Sequence, residues 1–239
     1  MASRNYLRTL AISFGALWIV LAIKPWHRGD WVVENVMVAL FIGVLVAMRR
    51  SFHFSLVSYT LIFVFSCLHI LGAHYTYAEV PYDAWFQALT GRTFNSLAGW
   101  ERNNFDRVVH FLYGFLLAYP VREIFLRVAN VRGFWGYFLP LDLTVSTSGL
   151  YEIIEWGAAE LLGGDLGAAY LGTQGDIWDA QKDMALASGG ALLAMLVTAA
   201  INYRSQRDFA REWSESLRVK GRRPLGEQAL RERSRGKQR

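Results

Sequence analysis

Six apolar runs, each close to the length of a bilayer-spanning helix, alternate with short polar connections along this chain. Tyr6 to Ile23 is the first, preceded by Arg4 and containing Arg8; Leu21-Ala-Ile-Lys24 lacks the small residues of a signal-cleavage site, so the run reads as a span. Trp31 to Met48 is the second, with Trp26 and Trp31 as interfacial anchors, Glu34 and Asn35 in its first turn, and Arg49-Arg50 closing it. Phe54 to Ala73 is the third and leads into His74-Tyr75-Thr-Tyr77. Residues 78–104 form a polar loop with Trp85 and Trp100 that has room for a short interfacial helix. The fourth span runs from Asp106 to about Val121, with Pro120 at its lower end, and Arg122, Arg127 and Arg132 read as an amphipathic surface extension. The fifth, Phe134 to about Leu162, carries Asp142, Ser146, Thr147, Ser148, Glu152 and Glu155, too polar a set for lipid, which predicts a central position. Gly163-Gly-Asp-Leu-Gly167 ends it, and Ala180 to Ile201 is the sixth.

The pattern predicts an all-α fold: a polytopic membrane helix bundle of six transmembrane helices over residues 1–202, followed by a basic tail over 203–239. Composition agrees, with 53% hydrophobic and 15% aromatic residues and nine Trp, far from a soluble domain of this length. Charge sets the orientation. Alternate connections place Arg4, Arg8, Arg49, Arg50, Arg122, Arg127, Arg132 and the whole tail on one side, which predicts both termini in the cytoplasm. The net charge of +5 belongs to the tail: from Tyr203 onward twelve Lys/Arg face five Asp/Glu, a sum of +7, so the first 202 residues sum to −2. Such a tail is solvated or meets anionic lipid headgroups at the bilayer surface, and calls for no nucleic acid. Its start, Arg204 to Leu217, has helical character. Cys67, the single cysteine, excludes a disulfide framework and a thiolate metal site.

Orientation gathers the polar residues. His69 and His74 fall at the outer end of the third helix, Asp106 and His110 share a face (i, i+4) at the outer end of the fourth, and Glu152 and Glu155 lie in the outer half of the fifth. Asp176, Asp179 and Asp183, spaced i, i+3, i+7, open the sixth, and Glu34 joins them from the second; Asp142 is the one comparable acid placed in the inner half. Singly, each has a plain explanation: Asp176 as an N-cap, Asp106 as a first-turn acid, a histidine as a hydrogen-bonded interior residue, Glu152 or Glu155 as a structural partner of Arg107 or Lys182. Together the carboxylates exceed the nearby cations, and leaving all of them ionised at low dielectric is too costly. A bound divalent cation, shared protons or a wet cavity resolves this. The candidate ligands are His69, His74, Asp106, His110, Glu152, Asp176 and Asp179, with Glu155 or Asp183 as general base and Arg107 or Lys182 holding an anionic group. Histidine and carboxylate without thiolate suit Zn, Mn or Fe. No His-Glu-x-x-His, nucleophile elbow or phosphate-cradling glycine loop is present.

His69-Ile-Leu-Gly-Ala-His-Tyr-Thr-Tyr-Ala-Glu-Val-Pro81, Asn104-Phe-Asp-Arg-Val-Val-His110, Tyr151-Glu-Ile-Ile-Glu-Trp156 and Gly172-Thr-Gln-Gly-Asp-Ile-Trp-Asp-Ala-Gln-Lys-Asp-Met184 together resemble the YjdF family of bacterial inner-membrane proteins, from about Trp31 to Ala200. The resemblance implies a multi-pass protein of the bacterial inner (plasma) membrane and no particular reaction. A fainter similarity links Asp106/His110, Glu152/Glu155 and Asp179/Asp183 to VanZ-like membrane proteins, which implies only an association with the cell envelope. With the polar set at the outer leaflet, facing the periplasm or cell exterior, three functions compete. They are a metal-dependent hydrolase or transferase on a lipid or envelope substrate, a cation- or proton-coupled transporter, and a non-catalytic structural protein whose Ser146, Thr147 and Gly149 pack helices closely.

Overall fold

The computed structural model describes residues 2–164, 167, 171, 173–205 and 208–220. Its helices are α1 (Ala2–Leu21), α2 (Arg28–Met48), α3 (Leu56–His74), α4 (Tyr82–Thr90), α5 (Phe94–Ala98), α6 (Phe105–Arg127), α7 (Trp135–Leu162), α8 (Asp179–Ser205) and α9 (Phe209–Ser216), and no strand occurs among the described residues. Four of them, α2, α3, α6 and α8, are long and apolar enough to cross a membrane. α1 has the length, at 20 residues, but carries Arg4 and Arg8, and the 28-residue α7 carries Asp142, Glu152, Glu155 and Glu160. The loop between α3 and α6 holds two short helices, α4 and α5. Each ends on a glycine in the left-handed region, Gly91 (φ 77°) and Gly99 (φ 68°), where a side chain would be strained.

α6 is the hub, packing against α3, α7 and above all α8. The α6–α8 contact is nearly backbone to backbone. A Cβ on Gly114 would lie 1.9 Å from the Ala187 carbonyl oxygen, and one on Gly190 would lie 2.0 Å from that of Phe111. Ala118, Ala187 and Ala191, fully buried, extend the same small-residue seam. In a bilayer, where lipid tails are as apolar as leucine, close approach of small residues is what holds helices together. The two helices run parallel, since Arg107 meets Asp179 above the seam and Ala118 meets Ala194 and Met195 below it. α7 runs against them, with Glu152 beside His110 at one end and Tyr137 bound to Asn202 at the other.

Three sequence expectations change here. α6 continues through Pro120 to Arg127, so Arg122 and Arg127 share one unbroken helix with the fourth span and Arg132 lies beyond it; a proline lacks only its own N–H, and the packed neighbours sustain the helix around it. α7 flanks the α6–α8 pair instead of forming the centre: Thr144 and Ser148 are buried on one stripe while Leu150, Ile153 and Trp156 stay exposed. Close packing comes from Gly114 and Gly190, not from Ser146, which is exposed, or Gly149, whose nearest contact is an ordinary 3.4 Å to Met184 Sδ.

At the other end of the bundle Glu123 clamps α6 to the start of α3. It accepts from the Ser55 N–H (2.9 and 3.0 Å), the Ser58 hydroxyl (2.6 Å) and Arg127 Nη1 (2.5 Å). α9 turns back and docks: Phe209 and Trp213 pack on Tyr137, and Ser216 accepts the Phe134 N–H at 2.9 Å through its hydroxyl and Trp135 Nε1–H at 2.9 Å through its carbonyl. The first part of the tail is thus ordered against the bundle; residues 221–239 lie outside the described residues.

Candidate functional site

One helical turn above the α6–α8 seam the same two helices bring His110 and Asp183 together, because His110 precedes Gly114 by four residues and Asp183 precedes Ala187 by four. Asp106, a turn further, completes a group. One oxygen or nitrogen from each of Asp106, His110 and Asp183 lies within 4.8 Å of the others. His110 Nε2 is 3.5 Å from Asp106 Oδ1, and on the other side of the ring Nδ1 is 3.6 Å from Glu152 Oε1. Asp183 is 3% exposed, and its Oδ1, like Glu152 Oε1, is buried with no hydrogen-bond partner among the described residues. Donor atoms around a small divalent ion stand about 3–4 Å apart, so this trio needs little movement to close on one. Glu155, half-buried on α7, is within electrostatic reach of Asp106, Glu152, Glu34 and Asp183.

His69 is placed beside α2. Its Nε2 faces Glu34, at 3.4 Å from the carbonyl oxygen and 3.7 Å from Oε2, and its Nδ1 is 2.5 Å from the Tyr77 hydroxyl. The tautomer that satisfies both contacts puts the proton on Nε2, donating to Glu34, and leaves Nδ1 to accept from Tyr77. Tyr77 gets there through two consecutive left-handed residues, Thr76 (φ 57°) and Tyr77 (φ 50°), a costly backbone for a β-branched side chain. Its ring then lies on Gly72, where any Cβ would come within 2.6 Å. His74 is used differently: Nδ1–H donates to the Leu21 carbonyl (2.7 Å) and its own carbonyl accepts from the Trp26 N–H (3.0 Å), tying the α1–α2 turn to the end of α3.

Asp176 and Asp179 join cations. Asp179 Oδ1 accepts from Arg102 Nη2 at 2.5 Å and from Arg107 Nη2 at 3.1 Å. Asp176 Oδ2 accepts from Lys182 Nζ and Arg107 Nη2, each at 2.5 Å, and Oδ1 accepts the Trp178 N–H at 3.0 Å, closing the turn that opens α8. The Lys182 ammonium first, then the Trp178 N–H and Arg107, hold the Asp176 carboxyl well below the usual carboxylate range. Asp176 thus lies three residues ahead of α8 and closes a turn instead of capping the helix, and Arg107 and Lys182, expected as partners of Glu152 or Glu155, pair with Asp176 and Asp179.

Asp30 belongs to the same region although its place at the start of an apolar run does not mark it. It is 2% exposed on α2, neither of its oxygens has a hydrogen-bond partner among the described residues, and it lies one turn from Glu34, itself 4% exposed. The signal was available: Asp30 and Glu34, at i, i+4, are the only charged residues between Arg28 and Arg49. Glu34 in turn is within electrostatic reach of Asp106, Asp30 and His110, so the acids of α2, α6, α7 and α8 form one connected region. Arg102, read only as an outer-side cation, supplies the partner of Asp179. Asp142 is exposed and stands apart from this region, whereas Glu123, placed within α6 by its continuation past Pro120, is an inner-end acid bound in its clamp.

Four helices long and apolar enough to cross a bilayer, packed on one another through small residues, mark an integral membrane protein. The chain belongs to the family described as "Predicted membrane protein (DUF2238)", which matches residues 6–204. It is 35% identical over 205 residues to the "Inner membrane protein YjdF" of Escherichia coli (strain K12), covering 85% of this chain and 93% of that protein. No solved structure matches the chain. The family match stops at the end of α8, so the docked α9 and nearly all of the basic tail lie beyond it.

Proposed function

We propose that the chain is a six-span protein of the bacterial inner membrane, with α1, α2, α3, α6, α7 and α8 as the spans and both termini cytoplasmic. In this reading it holds one divalent cation between Asp106, His110 and Asp183 on the periplasmic side, and acts as a metal-dependent hydrolase or transferase on a lipid or lipid-linked envelope substrate. The observation that carries the reading is the convergence of three donor atoms from two helices within 4.8 Å, next to a buried Asp183 oxygen that has no other partner.

Glu152, 3.6 Å from Nδ1 of His110, stands where an outer carboxylate would take that proton and orient Nε2 to the Asp106 side once the ring moves onto an ion. The donor set, one imidazole and two carboxylates, suits Zn, Mn or Fe. When bound, the ion supplies Lewis-acid polarisation of a phosphoryl or acyl oxygen and a more acidic water. With Asp183 taken as a ligand, the role of proton acceptor falls in this reading to Glu155, which is within electrostatic reach of Asp106 and Asp183. Ile153 and Trp156 of α7 and Ile177 and Trp178 before α8 are exposed apolar side chains on the segments that carry the site acids, which favours a substrate arriving from the bilayer. The inner-membrane location rests on the relative's name and the orientation on the arginine distribution, and the basic residues of the tail are assigned to anionic headgroups.

The test is conversion of lipid. Purified protein in vesicles of inner-membrane lipid extract is followed by mass spectrometry with and without EDTA, beside Asp183→Asn. Conversion that stops with EDTA, returns with added Zn, Mn or Fe, and is lost in the variant supports the reading. Cation flux across the vesicles that Glu152→Gln abolishes, without lipid conversion, replaces it with a coupled transporter.

A further inference from the structure

The segment 173–178, just before α8, is fastened to the segment 102–107 by polar contacts. Arg102 Nη1 donates to the Thr173 carbonyl at 2.5 Å and Gln174 Nε2 to the Asn103 carbonyl at 3.0 Å. Between them sits the Asp176 carboxylate, gripped by a guanidinium, an ammonium and a backbone N–H. Two cations and an amide converging on one anion is the donor set with which proteins hold phosphate. Around Asp176 and Asp179 stand three cations, Arg102, Arg107 and Lys182, three positive charges on two salt-bridged carboxylates, with Asp183 the next acid within reach of Arg107. Arg102 Nε and Arg107 Nε are also buried with no acceptor among the described residues, so donor capacity is left over.

The position is as telling as the charge. Arg107 directly follows Asp106 and Lys182 directly precedes Asp183, which sets this cationic mouth against the trio assigned to the metal. Asp179 is 4% exposed in the first turn of α8 and is held by the helix, whereas Asp176 precedes the helix and is the carboxylate that can withdraw without unwinding it. A carboxylate has two oxygens to offer; a phosphate group has enough to take Arg107, Lys182 and Arg102 together and still face a cation beyond them.

We propose that the Arg102–Arg107–Lys182 mouth binds the phosphate group of the substrate, a phosphate ester, and that Asp176 is its internal stand-in, displaced when the phosphate arrives. This deepens the reading given above: it names the substrate class for the same site, and the role of the mouth as a substrate site rests on that reading, while anion binding stands by itself.

The experiment uses the full chain in detergent, titrated with inorganic phosphate by calorimetry, with metal content measured on the same samples. Asp176→Asn removes the competing charge and binds phosphate about tenfold more tightly than the parent. Arg107→Gln loses the binding and Arg107→Lys recovers part of it, with metal content unchanged in all three. If Arg107→Gln does not fold, Lys182→Gln carries the same test at a half-exposed position. Phosphate binding that is equal in the parent, Asp176→Asn and the cation variants overturns the proposal, as does no binding by Asp176→Asn. Binding that follows the proposal in samples devoid of metal upholds the anion site and removes the metal reading. A second arm compares nanodiscs of phosphatidylcholine with and without phosphatidic acid: competition by phosphatidic acid against inorganic phosphate identifies a lipid phosphate, and its lack identifies a soluble phosphate ester.

Discussion

Gly114 of α6 and Ala187 of α8 approach so closely that a single added carbon on the glycine would lie 1.9 Å from the alanine carbonyl oxygen. His110 and Asp183 stand one turn above that contact, so the packing of the seam and the geometry of the site are the same fact.

Gly114→Ala must therefore push the two helices apart. We expect a loss of about 1–3 kcal/mol, read as a lower unfolding midpoint in detergent, together with weakened metal binding as His110 and Asp183 separate. Gly43→Ala is the control: nothing lies within 4 Å of that position on the lipid-facing side of α2, and the midpoint should hold or rise. Equal midpoints for Gly114→Ala and the parent would remove the seam from the account.

Glu152→Gln keeps the shape of the side chain and removes the charge facing His110 Nδ1. Loss of such an outer partner weakens metal affinity by about 10–100-fold while the fold is kept. Competition against a fluorescent chelator measures it, and an unchanged affinity would show that Glu152 does not orient the ring.

Glu123 tests the opposite end. Glu123→Gln replaces charged hydrogen bonds to Ser55 and Ser58 with neutral ones and should cost about 1–2 kcal/mol in stability, with metal affinity untouched. A change in affinity as large as that of Glu152→Gln would mean that the two ends are not independent.

The six-span topology predicts opposite labelling of two highly exposed positions. In a Cys67→Ser background, Leu89→Cys on α4 (86% exposed) should react with a membrane-impermeant maleimide from the periplasmic side, and Val219→Cys beyond α9 (85% exposed) only after the cytoplasmic face is opened. Labelling of both from one side would require a different number of spans.

Much of this was legible in the sequence, and the reasons differ by level. Span positions follow from local hydropathy, so α2, α3 and α8 fall close to their expected bounds, while α6 starts as expected and runs on past Pro120. Alternating direction was enough to send His110, Glu152 and Asp183 to one end. Which helices touch was not legible, because the seam rests on Gly114 and Gly190, residues equally at home in a turn or a lipid-facing stretch. Nor could spacing tell that Asp176 and Asp179 face Arg102, Arg107 and Lys182. That pairing depends on the parallel course of α6 and α8, which brings residues some seventy positions apart into contact. Asp30 was hidden for a simpler reason: a carboxylate just inside the start of an apolar run looks like an interfacial residue until its burial is seen.

The central claim, a divalent cation between Asp106, His110 and Asp183, is tested most directly by the metal content of the purified full chain, measured by mass spectrometry of the elements. The account predicts about one equivalent of Zn, Mn or Fe per chain in the parent, and a fall to near zero in Asp183→Asn and His110→Ala with the helical content unchanged. A parent protein free of metal after loading with each of the three ions, or an Asp183→Asn variant that retains the full equivalent, would contradict it.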